Sequence, residues 1–351
     1  MDKLIGQAEA FERIAVSTEN REMYLNAAEM YLKASEDAEN AYMKKQLVLK
    51  AEAMYNKSQE APIKIMNMQK KITDKSFKDI GGLEKVKEKI KLAIIEPLKH
   101  PEVYKHFGKK VGGGILMYGP PGCGKSLIAE AAAGESEAAF FNVKASDLKS
   151  KYVGETEKNI ADLFNEAKKH EAAIIFFDEF ESLGGERSNM TQSHDKSMVS
   201  QLLTEMDGVG NKEKNILLIA ATNEPWNVDV ALRRSGRFGS SIFIPPPDFE
   251  ARKNIFILNL DKKPIAENVN IEELALLTNS FSGADIMGIC EDAIEIPLKE
   301  YFDNGRKRNI SMQDFYKVLS NRNSSVTQWY QLAKIHMDDS MLKEIEASAT
   351  A

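Results

Sequence analysis

The stretch ILMYGPPGCGKS, residues 115 to 126, decides how the chain is read. Its apolar start, Ile115 to Tyr118, predicts a strand, and Gly119, Pro120, Pro121, Gly122, Cys123 and Gly124 predict a tight loop. Lys125, Ser126 and Leu127 then open a helix with IAEAAAG. This eight-residue Gly-to-Lys-Ser pattern fits a phosphate-binding loop: glycines let backbone N–H groups curl round an anion without a Cβ clash, and the helix adds its positive end. In that reading Lys125 reaches the β- and γ-phosphates of a nucleotide as a point charge, and the Ser126 hydroxyl holds Mg²⁺. An ordinary glycine turn is the competing reading, but strand and helix both sit where the phosphate pattern requires them.

The 351 residues are enough for two or three domains at roughly 100–200 residues each. At 43% hydrophobic, 28% charged and a net charge of −6, the composition is that of a soluble globular protein with no general pull toward nucleic acid. Two cysteines, Cys123 and Cys290, make neither a disulfide framework nor a metal cluster. The histidines His100, His106, His170, His194 and His336 fall at no ligand spacing, so no metal beyond nucleotide-bound Mg²⁺ is expected. The start of the chain has no basic-then-apolar signal, and Ile216 to Ala221 is far too short to span a bilayer. These features predict a cytoplasmic protein that meets membranes only through partners.

The chain reads as multidomain. Residues 1–61 carry apolar residues at helical spacing in three blocks: Leu4, Ala8, Phe11 and Ala15; Tyr24, Ala27, Ala28, Tyr31 and Leu32; Leu47, Ala51, Met54 and Tyr55. Breaks at 17–20 and 35–39 complete a small antiparallel three-helix bundle, with a coiled-coil arm as the alternative. Residues 62–76, with four lysines against one acid, predict a flexible tether. From Phe77 a Gly-Gly turn leads into an amphipathic helix that Pro97 is expected to end.

Residues 77–247 predict an α/β domain with a parallel five-stranded sheet, its strands at Ile115, Phe140 to Val143, Ile174 to Asp178, Ile216 to Ala221 and Ile242 to Ile244. Residues 248–351 predict a small helical lid and closing helices, including Ile271 to Leu277 and Asp285 to Ile296. The strand IIFFD ends in Asp178 and Glu179, which places two carboxylates where the phosphates would lie. Asp178 is the expected second Mg²⁺ holder, and Glu179 the carboxylate that polarises the attacking water. The strand ending at Thr222 delivers Asn223 as a polar sensor of γ-phosphate. A GTPase reading fails for want of an Asn-Lys-x-Asp motif, since NKEK at 211–214 lacks its Asp.

GPPGCGKS, IIFFDE, AATN and ALRRSGRF, in this order and spacing, resemble an AAA ATPase over residues 77 to about 337. DIGGL, PLKHPEVYKHFG, KYVGE and SGADI resemble the clade of that superfamily that remodels proteins, and the N-terminal blocks resemble a microtubule-interacting-and-trafficking (MIT) module. The combination is similar to the vacuolar-sorting ATPases that disassemble ESCRT filaments, their archaeal cell-division counterparts, and katanin and spastin. The resemblance implies ATP hydrolysis in a homo-hexamer that threads protein clients, ESCRT-type filament subunits held by residues 1–61, through a central pore. A general AAA protein unfoldase or a microtubule-severing enzyme is the alternative.

By the same resemblance Arg234 and Arg237, with Arg233 beside them, are arginine fingers acting on a neighbour's nucleotide. Lys151, Tyr152 and Val153, before Gly154, form the pore loop. The helix opening at Gly283 and Ala284 lies over the nucleotide, with Asp79, Ile80 and Gly81 on its other side. Two departures stand out: GRFGSSI, after the fingers, lacks an acidic and a basic residue of many relatives, and the stretch from Pro297 to Ile310 is too short for the β-strand insertion of the eukaryotic vacuolar-sorting enzymes, which favours an archaeal-type member.

Overall fold

The structure, a computed structural model, describes residues 1–18, 21–38, 40–60, 73–109, 113–144, 148, 155–182, 193–209, 215–234 and 236–349. They divide into two compact units, Met1–Gln69 and Lys70–Ala351.

In the first unit α1 (Asp2–Thr18), α2 (Arg21–Glu36) and α3 (Ala41–Glu60) form the predicted helices, with α2 packed against both others. The Met1 ammonium lies 3.6 Å from Asp37, so the start of α1 meets the end of α2 and the two run antiparallel. Ala8, Ala15, Ala27, Ala28, Ala34 and Ala51 let the backbones approach, and Tyr24, Tyr31, Leu47 and Met54 supply the bulk. Tyr31 is fully buried; its hydroxyl donates to Glu12 on α1 at 2.7 Å, and Lys50 of α3 sits 5.1 Å from its ring centre. Leu32 and Tyr55, expected on the inner face, are half exposed. Each lies about 100° round its helix from a buried neighbour, Tyr31 or Met54. The break expected at 35–39 begins later, since α2 runs on to Glu36.

The second unit is built on the predicted parallel sheet: β1 (Gly113–Tyr118), β2 (Ala139–Lys144), β3 (Ala172–Asp178), β4 (Asn215–Thr222) and β5 (Ser240–Phe243), in the order β2-β3-β4-β1-β5. Strands this apolar are buried on both faces, as in sheets covered by helices. Tyr118 pairs with Thr222 and Phe177 with Ala220, so β1, β3 and β4 end together and release Gly119, Glu179 and Asn223 along one edge.

The helix expected to stop at Pro97 runs through it, as Glu84–Ile90, a π turn over Lys91–Ile95, and Glu96–Lys99. A proline ring clashes with the carbonyl four residues back and lacks a donor; the wide turn just before it, closed by Glu96 N–H on Lys91 O, relieves the first problem. Pro97 and Leu98 are then buried. Pro297 likewise lies buried inside the helix Gly283–Asn304, which extends past the expected end at Ile296.

The last four residues read as tether, Thr73 to Ser76, are laid instead on the helix Lys125–Ser136. Thr73 donates to Glu130 at 3.2 Å, Phe77 N–H donates to Glu135 at 3.2 Å, and a Cβ on Gly134 would stand 2.0 Å from Lys75 O. Gly134 is the one position in that helix where backbone can lie flat against it. Residues 62–72 lie outside the described residues.

The lid core gathers Phe256, Leu260, Leu274, Ile286, Ile289, Ala293 and Phe315. The closing helices Ser325–His336 and Asp339–Ala349 leave that core and cover the sheet edge: Trp329, Ala333, Met337 and Ile345 pack with Tyr118 and Phe243. Tyr118 donates its hydroxyl to Glu344 at 2.7 Å across the contact.

Candidate nucleotide-binding site

Two glycines of the loop after β1 stand where a Cβ would meet neighbouring atoms. A Cβ on Gly119 (φ +154°) would lie 2.2 Å from Ile244 O, and one on Gly122 (φ +71°) 2.6 Å from the Ala284 Cβ. Gly122 O accepts from Ala284 N–H at 3.2 Å, so the helix beginning Gly283-Ala284 stands directly on the loop. That start is fixed by a capping box between Ser282 and Asp285, and Ser325 of the first closing helix donates to Asp285 at 2.8 Å.

Lys125 is 7% exposed and its ammonium spends its three donors on Gly119 O (2.9 Å), Pro120 O (2.8 Å) and Asn223 Oδ1 (2.7 Å). Burial pulls its pKa down to about 8, against the attraction of Glu181 and Asp178. Ser126 donates to Asp178 Oδ2 at 2.9 Å, which joins the two oxygens assigned to Mg²⁺ although they are 52 residues apart. A hydroxyl beside a carboxylate is an all-oxygen donor set that suits a hard cation. The Cys123 thiol donates to Pro121 O at 3.7 Å, and burial pushes its pKa up to about 12.

Glu179 is exposed at the mouth, with φ +50°, a backbone strain that non-glycine residues adopt mainly where the surroundings impose it. Its N–H donates to Asp178 Oδ1 at 3.0 Å and its carbonyl accepts from the Ser182 hydroxyl at 2.6 Å. The chain thus brings together Lys125, Ser126, Asp178 and Asn223, with Glu179 next to them and Gly283-Ala284 against the loop.

Asp79 turns its carboxylate back onto Ser76 N–H at 2.7 Å as part of a capping box; Ile80 is buried in the same apolar cluster as Cys123; Gly81 lies so close to Asn254 that a Cβ would meet its amide at 2.3 Å. Arg237 belongs to the opposite end of the sheet. Its carbonyl accepts from Gly114 N–H at 3.0 Å, five residues before Gly119, which is roughly 16 Å at the strand rise. Its guanidinium is bidentate on Asp207 (3.1 and 2.9 Å) and also donates to Ala231 O at 2.9 Å. Arg234 is exposed and Arg233 pairs with Asp338 at 3.8 Å. Lys151, Tyr152 and Val153 lie outside the described residues.

Three contributors escape a reading of the residues alone. Trp329 donates its indole N–H to Asn223 O at 2.5 Å from 106 residues away, and nothing local in the sequence marks it. Asp248 caps the helix Phe249–Leu260 and also accepts from Leu83 N–H at 2.7 Å; an Asp before a helical pattern signals only the cap. Glu181, three residues after Asp178, keeps a carboxylate oxygen enclosed without a hydrogen-bond partner among the described residues. Among the described residues no cluster of three or more His, Cys, Asp or Glu that could hold a metal ion occurs, and no helix is long and apolar enough to cross a membrane.

The model of the ATPase family associated with various cellular activities (AAA) matches residues 115–246, and that of the AAA+ lid domain matches residues 268–317. The chain is similar to a Cell division cycle protein 48 homolog of Archaeoglobus fulgidus, 42% identical over 275 residues, 78% of this chain and 36% of that protein. It is also similar to a Putative cell division cycle ATPase of Plasmodium falciparum, 42% identical over 240 residues, 68% of this chain and 19% of that protein. The chain therefore spans little more than a third of the first relative's length and about a fifth of the second's. Neither family match reaches residues 1–61, the segment that resembles an MIT module. Residues 115–246 are an AAA ATPase domain and residues 268–317 its AAA+ lid.

Proposed function

We propose that the chain binds ATP and hydrolyses it to remodel protein assemblies, working as a homo-hexamer that disassembles ESCRT-type filaments by threading subunits through a central pore. The observation that carries the chemical part is the shared placement of Lys125, Asn223, Ser126 and Asp178 at one sheet edge. On ATP binding Lys125 exchanges the carbonyls of Gly119 and Pro120 for phosphate oxygens. Asn223 stays beside it as a polar contact for the γ-phosphate. Glu179 accepts the proton of the attacking water, a task its exposed carboxylate suits. Ser126 and Asp178 would hold Mg²⁺, which supplies positive charge against the phosphates. The Arg237 backbone sits at the opposite end of β1 from the loop, which supports its acting, with Arg234, on a neighbouring copy. Asp79 to Gly81 line the far side of the nucleotide from Gly283, and Lys151 to Val153 grip the client.

The client reading rests on the resemblance of residues 1–61 to an MIT module, with grooves beside α2 as the docking surface. The similarity to a Cell division cycle protein 48 homolog favours a second reading, a general AAA protein unfoldase. A Glu179→Gln chain loaded with ATP and used as bait in native lysate separates them by mass spectrometry of what it holds. A filament subunit lost on deleting residues 1–61 supports the first; unrelated proteins retained without those residues support the second. Substantial phosphate release by Glu179→Gln would defeat the catalytic assignment itself.

A further inference from the structure

The last ladder pair at the end of β4 is Thr222 with Tyr118, so Asn223 stands one position past the paired strand. The helix Ser325–His336 holds it there. Trp329 donates its indole N–H to Asn223 O at 2.5 Å, while Asn223 Oδ1 accepts from the Lys125 ammonium at 2.7 Å. The turn that follows, Pro225–Asn227, is docked on the same helix: the Trp226 ring centre lies 6.1 Å from that of Trp329 and 5.7 Å from that of His336. One turn before Trp329, Ser325 donates to Asp285 at 2.8 Å, and Asp285 closes the capping box of the helix that stands on Gly122. Trp329 is 5% exposed and packs on Phe243 and Tyr330, contacts that a plain apolar ring would also make. What the indole adds is one donor, and that donor goes to the residue whose side chain meets Lys125.

We propose that Trp329 is a positioning residue for hydrolysis: its N–H fixes the Asn223 main chain so that the Asn223 amide is presented to Lys125 and to the γ-phosphate. Because Ser325 and Trp329 stand one turn apart, a single helix then sets the sensor and the lid helix in one frame. The inference rests on the reading of this site as an ATP-hydrolysing one.

The test uses the full chain and measures phosphate release at varied Mg-ATP, together with the Kd of a fluorescent ATP analogue, for Trp329→Phe, Asn223→Ala and the double variant. Trp329→Phe keeps an aromatic ring and removes the donor, so kcat should fall about fivefold, the weight of one net hydrogen bond, while KM and Kd stay within about twofold. In the Asn223→Ala background the carbonyl remains but there is no amide left to present, and Trp329→Phe should then change kcat by less than about 1.5-fold. A Trp329→Phe chain as fast as the parent, an equal loss in both backgrounds, a raised KM or Kd at unchanged kcat, or Asn223→Ala as fast as the parent would each overturn the proposal. If Trp329→Phe fails to fold by thermal melting, the second tryptophan is first removed as Trp226→Phe, and Trp329 is then replaced biosynthetically by benzothienylalanine, which carries sulfur in place of the indole N–H. Measured against Trp226→Phe itself, the same fivefold loss supports the proposal and an unchanged kcat overturns it. A parent chain that releases no phosphate overturns the underlying reading and this inference with it.

Discussion

The two ends of β1 carry two kinds of charged cluster. At its carboxyl end Lys125 is buried and meets acceptors from the loop and from β4. At its amino end Arg237 meets Asp207, whose side chain is 58% exposed, and Arg234 faces solvent. A buried ammonium is kept only where its partners are arranged for it, so the first cluster explains itself within one chain. The second is an ion pair of a kind that contributes little to stability in water, and hydrogen bonding to Arg237 keeps the Asp207 carboxyl below its usual range without making the pair strong. The contrast teaches that one strand can join a buried charge held from several elements at one end to a solvent-exposed ion pair at the other.

That contrast breaks most visibly in mixed rings. If the arginines serve a neighbour's γ-phosphate, Arg234→Ala with Arg237→Ala should lower hydrolysis about a thousandfold, and adding the double variant to unaltered chain should suppress activity beyond dilution. A linear mixing curve would leave Arg237 as a surface ion pair only. At the carboxyl end Lys125→Ala should weaken ATP binding about a hundredfold, since two charge-assisted contacts are lost; isothermal titration showing parent-like affinity would remove Lys125 from the site.

A smaller effect sharpens the difference in rigidity. Gly119→Ala puts a methyl against Ile244 O and should cost about 2 kcal/mol, read by urea unfolding of the full chain. A cost near zero would mean that the loop yields. The smallest belongs to Asp207→Asn, which should change stability by less than about 1 kcal/mol. A larger loss would show that the amino-end cluster is structural after all.

Much of this was legible without coordinates because it is local. An apolar run followed by Gly-rich turn and Lys-Ser admits one backbone path, and an apolar strand ending in acids delivers them to the same edge as its neighbours. Pro97 misled because its local rule assumes a regular helix, and the π turn at Lys91–Ile95 is a tertiary accommodation. Leu32 and Tyr55 misled because apolar spacing marks a face more broadly than the narrow line α2 can bury.

The amino-acid sequence by itself determined the five parallel strands, the phosphate loop, the acid pair at Asp178 and Glu179, and the helical character of both flanks, since each depends on residues within about a dozen positions of one another. Only the tertiary structure decided that Trp329 holds the Asn223 carbonyl, that Thr73 to Ser76 lie along Gly134 and that Arg237 stands at the far end of the sheet from Lys125. These contacts join segments 40 or more residues apart or, for Arg237, depend on which end of a strand a turn reaches. Their energy appears only once the sheet order and the closing helices are in place.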